Sequence, residues 1–452
     1  MGKKDASGER SFAGGGISRR EFLKVGAAGL AEAALLGVVG CGGGGGGGVG
    51  GATELTFSFF PDRTGSVQAL IDQFNSENEG DINVSLREMP ADSGQHFDQL
   101  NTEFQSGEIG IDVIGGDVIW PAQFAANGYI ADLSDRFTED EQSALLPATI
   151  EAMTYQGGIY GVPWYTDAGM LYYRSDLLEE AGYTEPPRTW DELKEQASTV
   201  QEQSGTQYGY VFQGADYEGG VVNALEYIWT SGGDVLEGDQ EIVIDSPEAQ
   251  RGLEIERSMI DDGIAPAGIT QYKEQEVATI FLGGDAVFMR NVPRMYALAS
   301  DPDESSISPD QIQITSIPVA EESLQSYSSL GGWNFFMNSN TKDSDAAYEF
   351  IRFMSAPKQQ KYRAIEGSVL PARQELYEDE ELLQEVLVAE LGQEAIKNTR
   401  PRPVSPFYSD MSLRMAKQFN ASLNGEVSPD EALYTLQKEL EEIIEQGRQQ
   451  GA

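Results

Sequence analysis

Two patterns of apolar residues follow one another through the first part of the chain. Residues 54–59 alternate apolar and polar side chains as a strand does, and residues 67–74 carry apolar side chains at helical spacing. Residues 82–86 predict a second strand, and residues 97–104 predict a second helix. A strand, a helix and another strand in this order are typical of the opening of a parallel sheet. The pattern therefore predicts an α/β protein.

The alternation continues beyond residue 110. Residues 111–114 form an apolar run that ends in a polar loop at Asp117. Ligands of open α/β sheets gather at such carboxyl ends of strands, which makes Asp117 a candidate binding residue. Further helices are predicted at 175–181, 189–204, 217–231, 247–262, 273–282, 344–354, 357–364, 379–391, 410–420 and 429–449, and further strands at 209–212, 286–289, 313–317 and 333–337.

Size and charge narrow the class of protein. The chain has 452 residues, 40% of them hydrophobic, which favours two lobes over one. Its net charge of -44 comes from 74 acidic against 30 basic residues, and the acidic excess is spread along the whole chain. Such a surface repels itself in dilute buffer and repels nucleic acid, but the Debye length falls to about 3 Å at 1 M salt. The charge therefore indicates a halophilic protein that does not bind nucleic acid.

The chain contains one cysteine, Cys41, and one histidine, His96. A single cysteine excludes an internal disulfide and a thiolate metal cluster, and a single histidine excludes a site built from several histidines. No cofactor and no metal are expected. His96 lies in the run G-Q-H-F-D and is predicted to be a solvated residue at a helix start.

The first fifty residues resemble an export segment. The run S-R-R-E-F-L-K at residues 18–24 resembles a twin-arginine signal, with Arg19 and Arg20 as its arginine pair. The apolar stretch that follows is interrupted by Glu32 and is too short and weak to span a membrane. The run V-V-G-C-G at residues 38–42 resembles a lipobox, in which Cys41 is acylated. We therefore expect a signal peptide with its lipobox at residues 1–40 and a flexible glycine-rich tether at residues 41–52.

Several motifs of the folded body share one resemblance. They are Y-G-V-P at 160–163, Y-Y-R-S-D-L-L-E-E-A-G at 172–182, P-P-R-T-W-D-E-L at 186–193, G-G-W at 331–333, A-A-Y-E-F-I at 346–351 and R-P-V-S-P-F-Y at 402–408. In this order they resemble the family 1 extracellular solute-binding proteins of ABC sugar importers, and most of all the trehalose–maltose binders. With the acidic composition, the resemblance is to a haloarchaeal type.

The resemblance implies a two-lobed periplasmic-binding-protein-like fold of type II, with the ligand in a cleft between lobes joined by hinge crossovers. The chain is expected to cross between the lobes near 165–170, near 318–330 and near 370. Lobe 1 would comprise 53–165 plus 331–371, and lobe 2 would comprise 166–330 plus 372–452. It also implies a monomeric binding protein without enzymatic activity, held by a lipid at the extracellular face of the membrane. Such a protein binds a sugar, here expected to be a di- or oligosaccharide, and delivers it to ABC permease subunits.

The same resemblance assigns candidate ligand-binding residues. Asp117 and Asp167 match positions that accept hydrogen bonds from sugar hydroxyls, Tyr165 and Trp333 match aromatic positions, and Arg402 matches a donor. Asp62 and Trp229 are further candidates. In so acidic a chain an Asp is by default a surface charge, and either Trp could belong to a lobe core. Residues 291–294 read N-V-P-R where the trehalose–maltose binders tend to have N-W-P-Y, so trehalose is not assumed.

Two other functions stay open at this point. A secreted glycoside-acting enzyme would need two carboxylates, which this chain supplies in abundance without any recognisable catalytic motif. A binding protein for a non-sugar solute such as glycerol phosphate would share the fold. An anionic ligand would need cationic groups in the cleft, and the loop candidates are Arg63, Arg290, Arg294, Arg373 and Arg402.

Overall fold

A computed structural model describes residues 51–62, 64–107, 110–238, 241–367 and 369–450. The predicted export signal, Cys41 and Arg63 lie outside the described residues. The chain from Gly51 onward forms one compact unit. Among the helices described, none is long and apolar enough to cross a membrane.

The strands of the described part are short, and most of them coincide with an apolar run of the sequence. They are β1 (Thr53–Phe59), β2 (Ile82–Glu88), β3 (Val113–Asp117), β4 (Thr154–Tyr155), β5 (Gly158–Ile159), β6 (Val162–Ala168), β7 (Met170–Arg174), β8 (Tyr208–Val211), β9 (Leu236–Glu237), β10 (Glu241–Ile242), β11 (Ala286–Asn291), β12 (Ile312–Thr315), β13 (Ser328–Met337), β14 (Leu370–Pro371) and β15 (Thr399–Arg400).

The helices surround these strands. They are α1 (Ser66–Glu77), α2 (Ser93–Ser106), α3 (Pro121–Ala126), α4 (Glu139–Ser143), α5 (Pro147–Met153), α6 (Ser175–Glu180), α7 (Trp190–Ser204), α8 (Glu218–Trp229), α9 (Pro247–Asp261), α10 (Glu274–Leu282), α11 (Met295–Leu298), α12 (Ser344–Met354), α13 (Pro357–Gly367), α14 (Glu380–Glu385), α15 (Leu387–Leu391), α16 (Gln393–Lys397), α17 (Tyr408–Asn424) and α18 (Pro429–Gln450).

Helix starts follow local capping chemistry. Thr189 and Glu192 form a capping box at the start of α7, and Asp343 caps α12 by accepting a hydrogen bond from the backbone N–H of Ala346. The prediction of a single helix at residues 379–391 was wrong, because this range contains two helices, α14 and α15. The backbone leaves the helical region at Val386 (φ -121°, ψ 71°), whose side chain is buried.

Two separate sheets define two lobes, so the predicted two-lobed α/β fold is confirmed. The larger sheet has the order β14-β6-β13-β3-β1-β2, with β15 also paired to β13, and the smaller has the order β12-β7-β11-β8. Strand β1 pairs in parallel with β2 and β3, as the opening pattern predicted. Trp190 lies in the core around the smaller sheet, where its ring stacks on Tyr227 with centroids 4.2 Å apart.

The chain passes between the two sheets through extended segments. Strand β6 belongs to the larger sheet and β7 to the smaller, and only Gly169 separates them. The chain returns between β12 of the smaller sheet and β13 of the larger sheet. These segments coincide with the predicted crossovers near 165–170 and 318–330, while the numbered lobe boundaries stay predictions.

A buried ion pair lies against both connecting segments. Arg290 in β11 donates from Nε and Nη2 to the two carboxylate oxygens of Glu226 in α8, at 2.7 and 2.6 Å, and both side chains are almost fully buried. Glu226 Oε1 also accepts a hydrogen bond of 2.8 Å from the backbone N–H of Ser329 in β13. A Cβ on Gly169 would collide with both charged groups, so this crossover requires glycine. Ser328 Oγ donates to the carbonyl of Gly169 at 2.6 Å and ties the two segments together.

We predict that Glu226→Gln destabilises the protein strongly, because it leaves the Arg290 guanidinium buried without a counter-charge. The expected loss in the free energy of unfolding is about 3–5 kcal/mol, measured by denaturant titration at high salt. The control is Asp261→Asn, which removes the partly exposed ion pair to Arg257 one helical turn away and should cost less than about 1 kcal/mol. Equal, small losses for both variants would contradict a structural role for the buried pair.

Candidate ligand-binding site

Sheet register brings three of the candidate residues into one row. In the larger sheet β13 lies between β3 and β6, and Trp333 is the register partner of both Asp117 in β3 and Tyr165 in β6. Residues directly opposite each other in antiparallel strands share one face of the sheet. Asp167 follows Tyr165 by two residues on the same strand and therefore lies on that face as well. The row is next to Gly169, where the chain crosses to the other lobe.

Trp333 is the half-buried centre of an aromatic wall. Its ring meets Phe59, Phe60 and Trp120 edge-on, with centroids 5.4, 4.7 and 5.4 Å away. Gly332 beside it has a φ of +120°, a conformation that favours glycine, and a Cβ there would collide with the carbonyl of Tyr165. The backbone therefore holds β13 close to β6 and fixes the direction of the Trp333 ring.

The prediction that His96 is solvated was wrong. His96 lies at the start of α2 as expected, but its side chain is fully buried between the rings of Trp120 and Trp333, with centroids 5.1 and 5.5 Å away. Neither ring nitrogen has a hydrogen-bond partner among the described residues. Burial lowers the pKa of His96 to about 4, so the ring is neutral at physiological pH and acts as part of the aromatic wall.

Asp117 is held by three partners at the carboxyl end of β3. Its carboxylate accepts hydrogen bonds from Ser93 Oγ at 2.9 Å and from the backbone N–H of Ile119 at 3.3 Å. The Arg402 Nη2 atom lies 3.8 Å from the same carboxylate. Burial raises the pKa of Asp117, while the Arg402 charge and the Ser93 hydrogen bond act in the opposite direction.

Asp167 is different, because no hydrogen bond to its carboxylate is found within the described ranges. The side chain is half-buried. Burial raises its pKa to about 7; the positive charge of Arg294 acts against this rise, and the negative charge of Asp117 adds to it. Asp167 therefore offers a hydrogen-bond acceptor that the protein itself does not use.

Arg402 is fixed before any ligand arrives. Its Nη1 donates to Glu218 Oε1 at 2.5 Å, and its Nη2 donates to the carbonyl of Leu330 at 3.4 Å. Glu218 also accepts hydrogen bonds from Tyr408, at 2.7 Å, and from Ser412. Because Glu218 begins α8 in the lobe of the smaller sheet and Asp117 ends a strand of the larger sheet, Arg402 connects carboxylates from both lobes.

The other two candidates lie apart from this group. Asp62 lies before α1, where its carboxylate accepts a hydrogen bond of 2.8 Å from the backbone N–H of Val67 in the first turn and pairs with Arg363 at 3.3 Å. The Arg363 guanidinium lies 5.9 Å from the centre of the Tyr165 ring and connects Asp62 to the row indirectly. Trp229 is 2% exposed in the core formed by α8, α9 and the C-terminal helices, with Arg400 over its ring at 5.3 Å.

Three residues of this region were not predicted as site members. Ser93 and Glu218 hold Asp117 and Arg402, and Arg363 packs against Tyr165. The only sequence signal for Ser93 and Glu218 is their position at a helix start, which many polar residues share. Arg363 is inside α13, far along the chain from its partners, and carries no local signal.

Comparison with known proteins agrees with this architecture. The family model for bacterial extracellular solute-binding proteins matches residues 60–361. A probable ABC transporter-binding protein of Deinococcus radiodurans is 31% identical over 372 residues, which are 80% of this chain and 87% of that protein. A mannitol-binding protein of Pseudomonas aeruginosa is 23% identical over 359 residues, covering 74% of this chain and 80% of its own.

A solved structure extends the likeness to three dimensions. Maltose-bound MalE3 of T. maritima superimposes with a TM-score of 0.75 at 35% identity, covering 86% of this chain and 99% of the other. The class is thus a two-lobed substrate-binding protein of the MalE type. The chain belongs to the family of bacterial extracellular solute-binding proteins. Proteins of this family act outside the cytoplasm and bind substrates for transporters; they are not enzymes.

We predict that Asp167→Asn changes how stability depends on pH. The pKa of Asp167 is about 7 in the folded state and has its ordinary value of 3.8 in the unfolded chain. Between about pH 4 and 7 the carboxyl is therefore protonated in the folded protein and ionised in the unfolded chain. Wild-type stability should therefore fall relative to the variant as pH rises through this window and stay lower above it. Denaturant titrations of both proteins from pH 4 to 9 at one salt concentration measure the difference, and parallel profiles would contradict the prediction.

Proposed function

We propose that this chain is the lipid-anchored, extracellular sugar-binding protein of an ABC importer, which closes its lobes around a neutral di- or oligosaccharide and delivers it to the permease. The observation that supports this best is the row of Asp117, Trp333 and Tyr165, with the unpartnered Asp167 beside it. Sugars present apolar C–H faces to aromatic rings and hydroxyls to fixed acceptors. Hinge closure is the only mechanism that this function requires.

Charge favours a neutral ligand over an anionic one. Of the five arginines that could receive an anion, Arg290, Arg373 and Arg402 already form ion pairs with carboxylates, and Arg63 lies outside the described residues. Only Arg294, which is exposed, forms no ion pair among the described residues, and a single cation is a weak site for a phosphate. Above about pH 7, where Asp167 is charged, its carboxylate would also repel a phosphate or an organic acid. The glycerol phosphate alternative is therefore disfavoured.

Two relatives support a sugar or sugar alcohol as the ligand, since one is maltose-bound and the other is described as mannitol-binding. The particular sugar is a separate question. Val292 and Arg294 occupy positions where the trehalose–maltose binders tend to have aromatic residues, so we do not propose trehalose. The proposal assigns Asp117, Tyr165, Asp167, Trp333 and Arg402 to ligand binding, with Asp62 and Trp229 as outer candidates.

The proposed cellular setting follows from the sequence. The twin-arginine run exports the folded chain, Cys41 carries the lipid, and the glycine-rich residues act as a tether. The net charge of -44 supports a haloarchaeal type that needs high salt to screen its own repulsion. The monomeric state is proposed from the family resemblance.

Calorimetric titration in 3 M NaCl against maltose, maltotriose, trehalose, mannitol and glycerol 3-phosphate tests the function. We expect at least one neutral sugar to bind and glycerol 3-phosphate not to bind. Trp333→Ala should weaken binding by about tenfold or more through loss of the ring face. The control is Tyr434→Ala, which removes an exposed aromatic ring on α18 and should leave affinity unchanged.

Three results would count against these proposals. Binding of none of the sugars would reject the sugar-binding function, and hydrolysis of maltose by the purified protein would favour the enzyme alternative. A repeat of the titration in 0.2 M NaCl tests the halophilic type. Unchanged affinity and folding there would reject it.

We predict that Cys41→Ser releases the exported protein from the cell surface. The lipobox-like sequence places the acylated residue there, so cells producing the variant should shed the chain into the medium while the wild type stays with the membrane fraction. Replacing Arg19 and Arg20 by lysine should keep the chain inside the cell. Membrane retention of the Cys41→Ser variant would show that the anchor lies elsewhere.

A further inference from the structure

The first turn of α2 contacts two of the candidate ligand-binding residues. Asp92 caps this turn by accepting a hydrogen bond of 2.9 Å from one of its backbone N–H groups. Ser93 Oγ donates to the Asp117 carboxylate, also at 2.9 Å. His96 follows Ser93 by three residues, and side chains at this spacing lie on one side of a helix. The turn that orients Asp117 therefore also places His96 against Trp333.

Among the rings described around Trp333, the imidazole of His96 is the one closest to parallel with the indole. The two planes are inclined by 32°, with centroids 5.5 Å apart. The other three rings meet the indole at steep angles of 89°, 74° and 76°, and they belong to Phe59, Phe60 and Trp120. Two rings at a small angle share an offset contact of their faces, which restrains the tilt of both. The imidazole thus supports one side of the Trp333 ring.

His96 makes this contact through its ring shape and not through its polar atoms. The side chain is fully buried, and neither ring nitrogen has a hydrogen-bond partner among the residues that the structure describes. Its charge is not used either, since burial lowers the pKa of His96 to about 4. A buried polar group without a partner costs free energy. What the packing uses is therefore the flat, rigid ring.

A supported ring matters for binding because Trp333 is only half-buried. A side chain that moves freely before a ligand arrives must be ordered when it binds, and this ordering costs affinity. A ring that is already held in the binding orientation avoids the cost. His96 has no exposed surface of its own, so it acts on a ligand only through Trp333.

We propose that His96 is a positioning residue, whose imidazole holds the Trp333 indole in the orientation that receives the apolar face of a sugar. This inference rests on the proposed sugar-binding function and adds to it a residue that does not itself touch the ligand. Together with Ser93, it makes the first turn of α2 the element that orients both an acceptor, Asp117, and the aromatic platform.

The test compares His96→Ala, His96→Phe and Phe104→Ala in 3 M NaCl. Phe104 is the matched control, because it lies on α2 two turns after His96, about 12 Å along the helix axis. Its buried ring packs on Phe124 and Tyr129, with centroids 5.4 and 4.4 Å away. Both alanine variants remove a buried ring from α2 and should lower the melting temperature by several degrees. Only His96→Ala should affect Trp333.

The orientation of the ring is measured without ligand, by fluorine NMR of protein labelled with 5-fluorotryptophan. The chain has five tryptophans, and Trp333→Phe identifies the resonance of Trp333 by its loss. We expect this resonance to broaden in His96→Ala and to stay narrow in His96→Phe and Phe104→Ala. A narrow, unshifted resonance in His96→Ala would overturn the inference, whether or not any sugar binds.

Affinity is measured by calorimetry with the tightest-binding of maltose, maltotriose, trehalose and mannitol. His96→Ala should bind about 3- to 10-fold more weakly than the wild type, as expected for one side chain that must be ordered. His96→Phe and Phe104→Ala should stay within about twofold of the wild type, and His96→Ala should cause no further loss in a Trp333→Ala background.

The two controls keep the inference open to refutation. An equal loss of affinity in Phe104→Ala and His96→Ala would overturn it, because the stability of α2 would then be the cause. A loss in His96→Phe as large as that in His96→Ala would also overturn it, since the ring would not be what matters. If the wild type binds none of the four sugars, the proposed function fails, and the NMR comparison still decides whether His96 holds Trp333.

Discussion

The buried pair of Glu226 and Arg290 is the interaction on which the relation between the two lobes depends. The Glu226 carboxylate accepts a hydrogen bond from the backbone N–H of Ser329 in one connecting segment. In the other segment, a side chain on Gly169 would collide with the charged atoms of the pair. Both charges come from the lobe of the smaller sheet, which therefore holds the segments that lead into the larger sheet. A buried pair of this kind adds little net stability over an apolar packing, but it specifies geometry, since every partner must be in place for the charges to be tolerated.

The candidate site follows from this geometry and from strand order. Strand β13 is distant in sequence from β3 and β6 but runs between them, so that Trp333 lies beside both Asp117 and Tyr165. The polar groups then divide into two kinds. Asp117 and Arg402 are fixed by the protein, through Ser93 and Glu218. Among the described residues, the side chains of Asp167 and Arg294 have no such hydrogen-bond partner. A fixed group orients a ligand, and an unused group supplies free energy when a ligand engages it.

Local chemistry explains which elements could be predicted from the sequence. Helix α12 was predicted with the bounds it has, and α7 to within one residue, because capping residues and apolar spacing are local signals. The break at Val386 was missed, since the apolar spacing continues through it, and the burial of its side chain in the core around the smaller sheet is a tertiary contact without a local signal. Motif resemblance led to Asp117 and Trp333, but the burial of His96 depends on Trp120 and Trp333, which approach it only in the fold. Trp229 was a further candidate that could equally belong to a lobe core, and the structure places it in one.

The unpartnered carboxylate of Asp167 bears on how a transporter tells a loaded binding protein from an empty one. When lobes approach each other, water leaves the cleft, and a carboxylate without a hydrogen-bond donor becomes more costly to keep charged. A bound sugar hydroxyl removes that cost, so closure without cargo is opposed by the site itself. If the chain has the proposed function, an importer that responds only to the closed form would not hydrolyse ATP when no cargo is bound.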